Sequence, residues 1–392
     1  MDRVLICGTN WLGDCIMSMP SLQVLKQRRP NTHLTLLAKP GMVPLWQMHS
    51  AVDAIVPIAQ GRGGTRRTVR VLRQQLFDRA VIFPNSFRSA LLPFMGGVPR
   101  RMGVASHGRA LLLTERRPGR QPGDASHQVW EYYRLLGLDK TACCPKGDPS
   151  TSLPPSPAGL WRAGGMTVPE SVCLSGNGHA ELAEASPLSP PDGLCNTLKR
   201  DEPVPPRITP PPSARDKAAQ LLAADDNRPW IAMLPGAARG DSKRWPPQRF
   251  ADVAKGLVES HSGRIALFGT AAEASACDHI AAAVGDAACN LAGKTSLTVL
   301  AAALARCGAA VSNDSGGMHL ATAVGTPVVA IFGLTDPDLT GPLGEANRVI
   351  CGAPPEQRTR DVPRESAEAA AALHSVQPER VLAEARGVLE DS

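Results

Sequence analysis

Residues 312–344 read SNDSGGMHLATAVGTPVVAIFGLTDPDLTGPLG. A strand-like run ends at Ser312, the small residues Asp314, Ser315, Gly316 and Gly317 turn the chain, a helix is expected from about Met318, and residues 328–332 form the next strand. A strand, a turn, a helix and another strand in succession put two parallel strands in one sheet with a helix across its face. The turn has chemical content as well. Its small residues let a phosphate approach the helix N-terminus, where unpaired N–H groups meet the positive end of the helix dipole. On this reading Ser315, Gly316 and Gly317 offer the anion site, Asp314 is free to accept from a sugar hydroxyl, and His319 lies one helical turn further on. A plainer reading stays open, in which Asp314 or Ser315 is only an N-cap and His319 only a core histidine.

The same alternation extends along the chain. Residues 230–234, 250–258, 264–268, 273–284 and 309–312 alternate strand and helix patterns, and a separate series fills the N-terminus at 4–7, 17–28, 34–37, 54–56, 66–77 and 80–83. The chain therefore reads as two α/β halves, each a parallel sheet wrapped by helices. Its 392 residues suit two domains, since single cores stop growing near ~250 to 300 residues. Between the halves, residues 145–212 carry 15 of the 36 prolines with little periodicity. A stretch of that composition buries too little apolar surface to fold alone. The expected division is a first domain at 1–142, a Pro-rich insert at 143–213, a second domain at 214–362, and C-terminal helices at 363–392, interrupted at Pro378.

Composition narrows the function classes. A formal charge of +6 without a run of five or six like charges disfavours nucleic acid as a partner, while an anionic sugar, a nucleotide or an acidic membrane surface all remain compatible. The N-terminus MDRVLICGTN lacks the leader of a secretory signal, and no segment reaches the ~18 apolar residues of a membrane span. Ten cysteines without CxxC spacing read as reduced thiols of a cytoplasmic protein, and Cys143, Cys144, Cys173 and Cys195 are too irregularly spaced for zinc.

Two further motifs carry chemistry. CGTNWLGD, residues 7–14, follows the first strand and opens the first helix, where Gly8 and Gly13 permit a tight turn and close backbone approach. Asp14 stands where Lys and Ser or Thr would complete a Walker loop, so that motif is excluded, and the dinucleotide fingerprint is absent. What remains is a carboxylate at the carboxyl edge of a parallel sheet, where open α/β folds bind ligands. An acid in a helix's first turn also simply favours the dipole, and both readings stand. The second motif, LPGAARGDSKRWPPQRFADVA at 234–254, sets the cations Arg239, Lys243 and Arg244 in a Gly-containing loop before a helix, either a diphosphate cradle or an ordinary basic loop.

GTNWLGD, the PGA loop with SKRWP, NDSGGMH and FGLTDPDLTGPLG, in that order and at these separations, resemble the family 9 glycosyltransferases. PNSFRSALLPFMGGVPRRMG, residues 84–103, is similar to another motif of that family, and the likeness covers roughly residues 1–140 and 206–350. The resemblance implies GT-B architecture, two Rossmann-like doubly wound domains facing across a cleft, with the acceptor held mainly by the first and ADP-heptose by the second. It implies metal-independent, inverting heptose transfer to the first heptose of an anionic lipopolysaccharide inner core, with no cofactor. Asp14 would be the catalytic base. Lys243 and the helix start at Ser315 would neutralise the departing diphosphate, while Arg239, Asp314, Gly316, Gly317 and His319 would help hold the nucleotide-sugar. Asn10, Asn85 and Arg88 are the acceptor-side candidates. The Arg62–Arg73 cluster reads as a solvated helix face or as a face toward anionic lipid at the inner leaflet of the cytoplasmic membrane.

The chain departs from that pattern in the long insert, in a Gly269-Thr270 loop without an acid or amide directly following, and beyond Cys351. Three rivals stay open: another acceptor on the same fold, such as the substrate of a first-heptose transferase or a modified core; a nucleotide-sugar epimerase of the same shape; and a protein that binds the donor without transferring it.

Overall fold

A computed structural model of the chain describes residues 1–121, 124–138, 203–223, 228–261 and 263–391. The first half contains β1 (Arg3–Cys7), α1 (Leu12–Arg28), β2 (His33–Ala38), α2 (Val43–Gln47), β3 (Ala54–Pro57), α3 (Gly64–Gln74), β4 (Arg79–Ile82), α4 (Phe87–Met95), β5 (Arg100–Val104), β6 (Glu115–Arg117) and α5 (Val129–Leu135). The second contains α6 (Pro212–Leu221), β7 (Trp230–Leu234), α7 (Pro247–His261), β8 (Arg264–Leu267), α8 (Ala274–Val284), β9 (Ala288–Asn290), α9 (Leu297–Leu304), β10 (Cys307–Asn313), α10 (Gly316–Ala323), β11 (Val328–Phe332), α11 (Pro337–Thr340), β12 (Arg348–Cys351), α12 (Ala367–Ser375) and α13 (Pro378–Glu390).

The strands form two six-stranded sheets in the orders β3-β2-β1-β4-β5-β6 and β12-β11-β10-β7-β8-β9. Within each sheet the neighbours pair in parallel, for example Leu5 with Thr35 and Val311 with Met233. Each sheet is doubly wound, and the order reverses between β1 and β4 in one and between β7 and β10 in the other. Ligands of such folds bind beyond the strand carboxyl ends at these reversals. Both motif loops at 7–14 and 313–317 leave the sheets there.

Burial explains the sequence pattern. β7 and β11 are buried at every position, as expected of central parallel strands covered on both faces. On α1, Cys15 to Leu22 are all buried, because the helix lies between its own sheet and α10, and one apolar cluster accordingly runs from Leu22 and Leu25 to Met318 and Leu320. α3 is amphipathic instead. Thr68, Val69 and Leu72 face inward, while Arg66, Arg67, Arg70 and Arg73 are exposed.

The structure differs from the sequence reading in three places. α10 begins at Gly316, two residues before the expected start, because Ser315 caps it by accepting from the Gly317 N–H at 3.2 Å. The C-terminal end of the expected insert is packed: Ile208 is buried, its N–H donates to Ala323 O at 3.0 Å, and the Thr209 N–H donates to Met48 O at 2.8 Å. Pro212 is already the first residue of α6, a position that needs no N–H. Residues 139–202 lie outside the described residues, as do the four cysteines there. Among the described residues no helix is long and apolar enough to cross a membrane, and Cys7, Cys15, Cys277, Cys289, Cys307 and Cys351 are free thiols.

Candidate active site

Two helix N-termini meet at the cleft. A side chain at Gly316 would bring its Cβ within 2.9 Å of Leu12 Cβ, and one at Gly13 would lie 3.0 Å from His319 Cδ2. Glycine at both positions is what lets α1 and α10 approach head to head, so their positive ends face one space. These glycines serve close approach. Neither has the left-handed backbone that a tight turn would require.

The opposite wall is fastened by Asn313 at the end of β10. Its Nδ2 donates to Pro235 O at 2.6 Å and its Oδ1 accepts from the Trp245 N–H at 3.1 Å, which holds the 235–245 loop against the strand end. Trp245 is fully buried and donates through Nε1 to Val376 O at 3.2 Å. A short 3₁₀ turn at Asp241–Lys243 thereby aims the Lys243 ammonium at Asp314, and the two form a buried ion pair. Asp314 thus has one oxygen, Oδ2, engaged by the lysine. Its first role here is to hold the lysine, because a buried charge without a partner is costly.

These walls enclose a cavity of about 610 Å³ lined by Asp14, Arg239, Lys243, Asp314, Ser315, Gly316, Gly317 and His319. Leu234, Phe268, Leu297 and Leu300 give it an apolar part. Beside it, Glu273 Oε2 accepts from the Thr270 N–H at 2.7 Å and the Thr270 hydroxyl at 2.9 Å, and Gly236 leaves room for that carboxylate. A second cavity of about 480 Å³ lies on the first-domain side, lined among others by Asn10, Asn85, Arg120, Glu131, Tyr132 and Arg134. Trp11, Asp14, Gln128 and Arg360 line both. The carboxylate thus stands at the junction of a chamber bordered by Lys243 and the first turn of α10 and a polar, arginine-bearing one.

Burial raises the Asp14 pKa above the usual carboxylate value, offset in part by a hydrogen bond from Gln128 Nε2 to Oδ1 at 3.2 Å and by the charges of Arg239 and Arg360. A carboxylate made more basic by burial suits general-base work. Burial lowers His319 to about 3, and the nearby His127 and Lys243 push the same way, so His319 is neutral.

Most of the sequence candidates converge. Asn10 and Asn85 reach the second cavity, and Asn85 Oδ1 accepts from Arg109 Nη2 at 3.1 Å, a guanidinium that is itself fully buried. Arg239 lines the first cavity and pairs with Asp361 at 3.5 Å. Arg88 is exposed on α4 and lines neither of these two cavities, as that helix turns its Ala90, Leu92 and Pro93 inward. Gln128, Arg120, Arg134, Arg360 and Glu273 were missed. The first four lie outside the motifs: Arg120 and Arg134 line the second cavity from their own half, while contact across the cleft brings in Gln128 and Arg360. Glu273 had a local signal, since Thr270 and Glu273 have the spacing of a capping box, which the structure forms.

Two doubly wound sheets facing across a cleft, with the N-terminus of α10 on one side and a carboxylate between two chambers, are the architecture of a GT-B glycosyltransferase. The chain belongs to glycosyltransferase family 9 (heptosyltransferase), whose family pattern matches residues 65–150 and 207–371. It is similar to lipopolysaccharide heptosyltransferase 2 of Salmonella typhimurium, at 31% identity over 89% of this chain and 87% of that protein. It is also similar to lipooligosaccharide heptosyltransferase 2 of Haemophilus influenzae, at 32% identity over 89% and 88%. The solved ADP-heptose heptosyltransferase II of Escherichia coli superposes with a TM-score of 0.71 at 28% identity, covering 99% of both chains. A family 9 glycosyltransferase structure from Veillonella parvula, 19% identical with a TM-score of 0.72, shares the fold.

Proposed function

We propose that the protein transfers heptose from ADP-L-glycero-D-manno-heptose to the first heptose of the lipopolysaccharide inner core, with inversion at the anomeric carbon. The observation that carries the reading is the position of Asp14 between the two cavities. The adenine would fill the apolar part beside Phe268, with the ribose near Glu273 and the diphosphate against Lys243 and the first turn of α10. The acceptor would enter the second cavity with its hydroxyl toward Asp14. The carboxylate takes that proton as the oxygen attacks the anomeric carbon from the face opposite the diphosphate, and the C–O bond to ADP breaks on the Lys243 side. One base and one leaving-group clamp on opposite sides are what a single displacement requires.

On this reading the first half, roughly residues 1–142, takes the acceptor and the second, from about 214, the donor, as open α/β sheets bind ligands at their order reversals. The reaction would run in the cytoplasm at the inner leaflet. Peripheral contact there is supported by the exposed arginines of α3 beside Phe87 and Phe94 on α4, which are 47% and 46% exposed.

The decisive experiment incubates purified protein with ADP-heptose and a core acceptor carrying one heptose, and follows product by mass spectrometry. Addition of one heptose and release of ADP is expected, with loss of turnover in Asp14→Asn. Conversion of ADP-heptose without acceptor, or product only on a heptose-free core, would overturn the reading.

A further inference from the structure

We propose that Gln128 is a positioning residue for the reaction: its side-chain amide fixes Asp14 toward the acceptor cavity, and its backbone is anchored by the opposite domain. The inference rests on the reading of Asp14 as the base. Gln128 is buried, yet it belongs to none of the motifs that define the donor side. Its amide nitrogen has two hydrogens, and each has a partner: Asp14 Oδ1 at 3.2 Å and the Tyr132 hydroxyl oxygen at 3.1 Å. Two partners fix the amide plane, and through it the carboxylate. One oxygen of Asp14 is engaged by Gln128, and the carboxylate borders both cavities.

The anchor comes from across the cleft. The Gln128 N–H donates to Leu339 O in α11 at 2.8 Å. Beside it, His127 Nδ1 accepts from the Val129 N–H at 3.2 Å, so the proton is on Nε2, which lies 3.1 Å from Gly341 O and donates to it. One turn further, Glu131 Oε1 meets Arg360 Nη1 at 3.0 Å and Arg120 Nη1 at 3.4 Å. The start of α5 is therefore clamped to the strip 339–341 and to Arg360, and Thr340 and Arg360 also line the donor cavity. Contact between the halves sets the place of Gln128, and Gln128 sets the carboxylate. Its hydrogen bond also favours the ionised form, opposing the effect of burial.

The groups facing Asp14 are Arg239 and Arg360 from the second half, Glu131 and Tyr132 on α5, and Cys15 on its own helix; the variants below leave all of them in place. In the full chain, with ADP-heptose and a one-heptose acceptor, Gln128→Leu should lower kcat by roughly tenfold to a hundredfold, the size of one hydrogen bond to a charged group. KM for ADP-heptose should change less than kcat, because the amide's hydrogen bonds go to Asp14 and Tyr132 and not to Lys243 or the first turn of α10. The acidic limb of kcat against pH should move to higher pH, since the carboxylate loses a donor. Gln128→Glu, of the same shape, should move the limb upward as well, through like-charge repulsion, with folding of both variants checked by thermal melt. An unmoved limb in both variants, whether or not kcat falls, would overturn the proposal, because a merely structural role leaves the limb in place. Asp14→Asn separates the two levels. If it turns over normally, the base reading fails and this proposal with it; if it is inactive while both Gln128 variants keep the original profile, only this proposal fails.

Discussion

Lys243 and His319 face the same cavity and meet burial in opposite ways. The lysine is paired with Asp314, and the histidine gives its charge up. Lys243→Ala removes the leaving-group cation and strands Asp314. We expect kcat/KM for ADP-heptose to fall by about 10² to 10³, the cost of deleting one electrostatic donor at a developing charge. Steady-state kinetics with varied donor would check it. The histidines predict a pH dependence of stability. His319 falls to about 3 and His49, also by burial, to about 4, from an unperturbed 6.5. Between these values the unfolded chain binds protons that the folded chain refuses, so the neutral histidines stabilise the fold above pH 6.5 and lose that contribution as pH falls toward 4 and then 3. At pH 5.5 each should cost roughly 1.4 kcal/mol. Thermal melts from pH 7 to 5 should show a falling Tm, with a shallower slope in His49→Gln. An equal slope would refute the assignment.

At the scale of elements, the crossing of α1 and α10 is the device that unites donor and acceptor sides, and it depends on glycine. Gly316→Ala would set a Cβ 2.9 Å from Leu12 Cβ and 3.1 Å from its Cγ. Overpacking of this kind typically costs about 1–3 kcal/mol, and here it also pushes the anion site away from Asp14. We expect reduced stability and reduced transfer together, with partial recovery of both on adding Leu12→Ala, measured by denaturant melts and turnover. The sequence showed those glycines and the helix start within two residues, because strand, turn and helix each leave a local trace in SNDSGGMH. It did not show α9, whose Val299 and Ala301 to Leu304 are buried, leaving little polar face to mark a period. β6 and β9 span only three residues each, too short for alternation to register. Asp14 was legible as a candidate base only through its company, since an acid in a first helical turn has a sufficient structural reason to be there. Gln128 and Arg360 were not legible at all, because their roles arise from a contact between distant segments.

For the whole molecule, the question is whether two doubly wound halves behave as two folding units. Their sheets are separate, yet one apolar cluster runs through Leu22 and Leu25 of α1, Met318 and Leu320 of α10, and Ala214 and Ala218 of α6. The segment before α6 ties the halves again, with the Ile208 N–H on Ala323 O at the end of α10 and the Thr209 N–H on Met48 O after α2. Gln23 joins this tie, its Nε2 donating to Pro205 O at 3.2 Å and its Oε1 accepting from the Arg207 N–H at 3.0 Å. A core shared in this way leaves neither half a complete apolar surface of its own, so loss of one exposes the other. We therefore expect a single calorimetric transition whose van't Hoff and calorimetric enthalpies agree. Ile208→Ala deletes apolar volume at the tie and should cost about 2–4 kcal/mol. Because Ile208 bridges both halves, the variant should lower Tm while the transition stays single. Two resolved transitions in the unaltered protein would show instead that the halves unfold independently and that the shared cluster contributes little to their coupling.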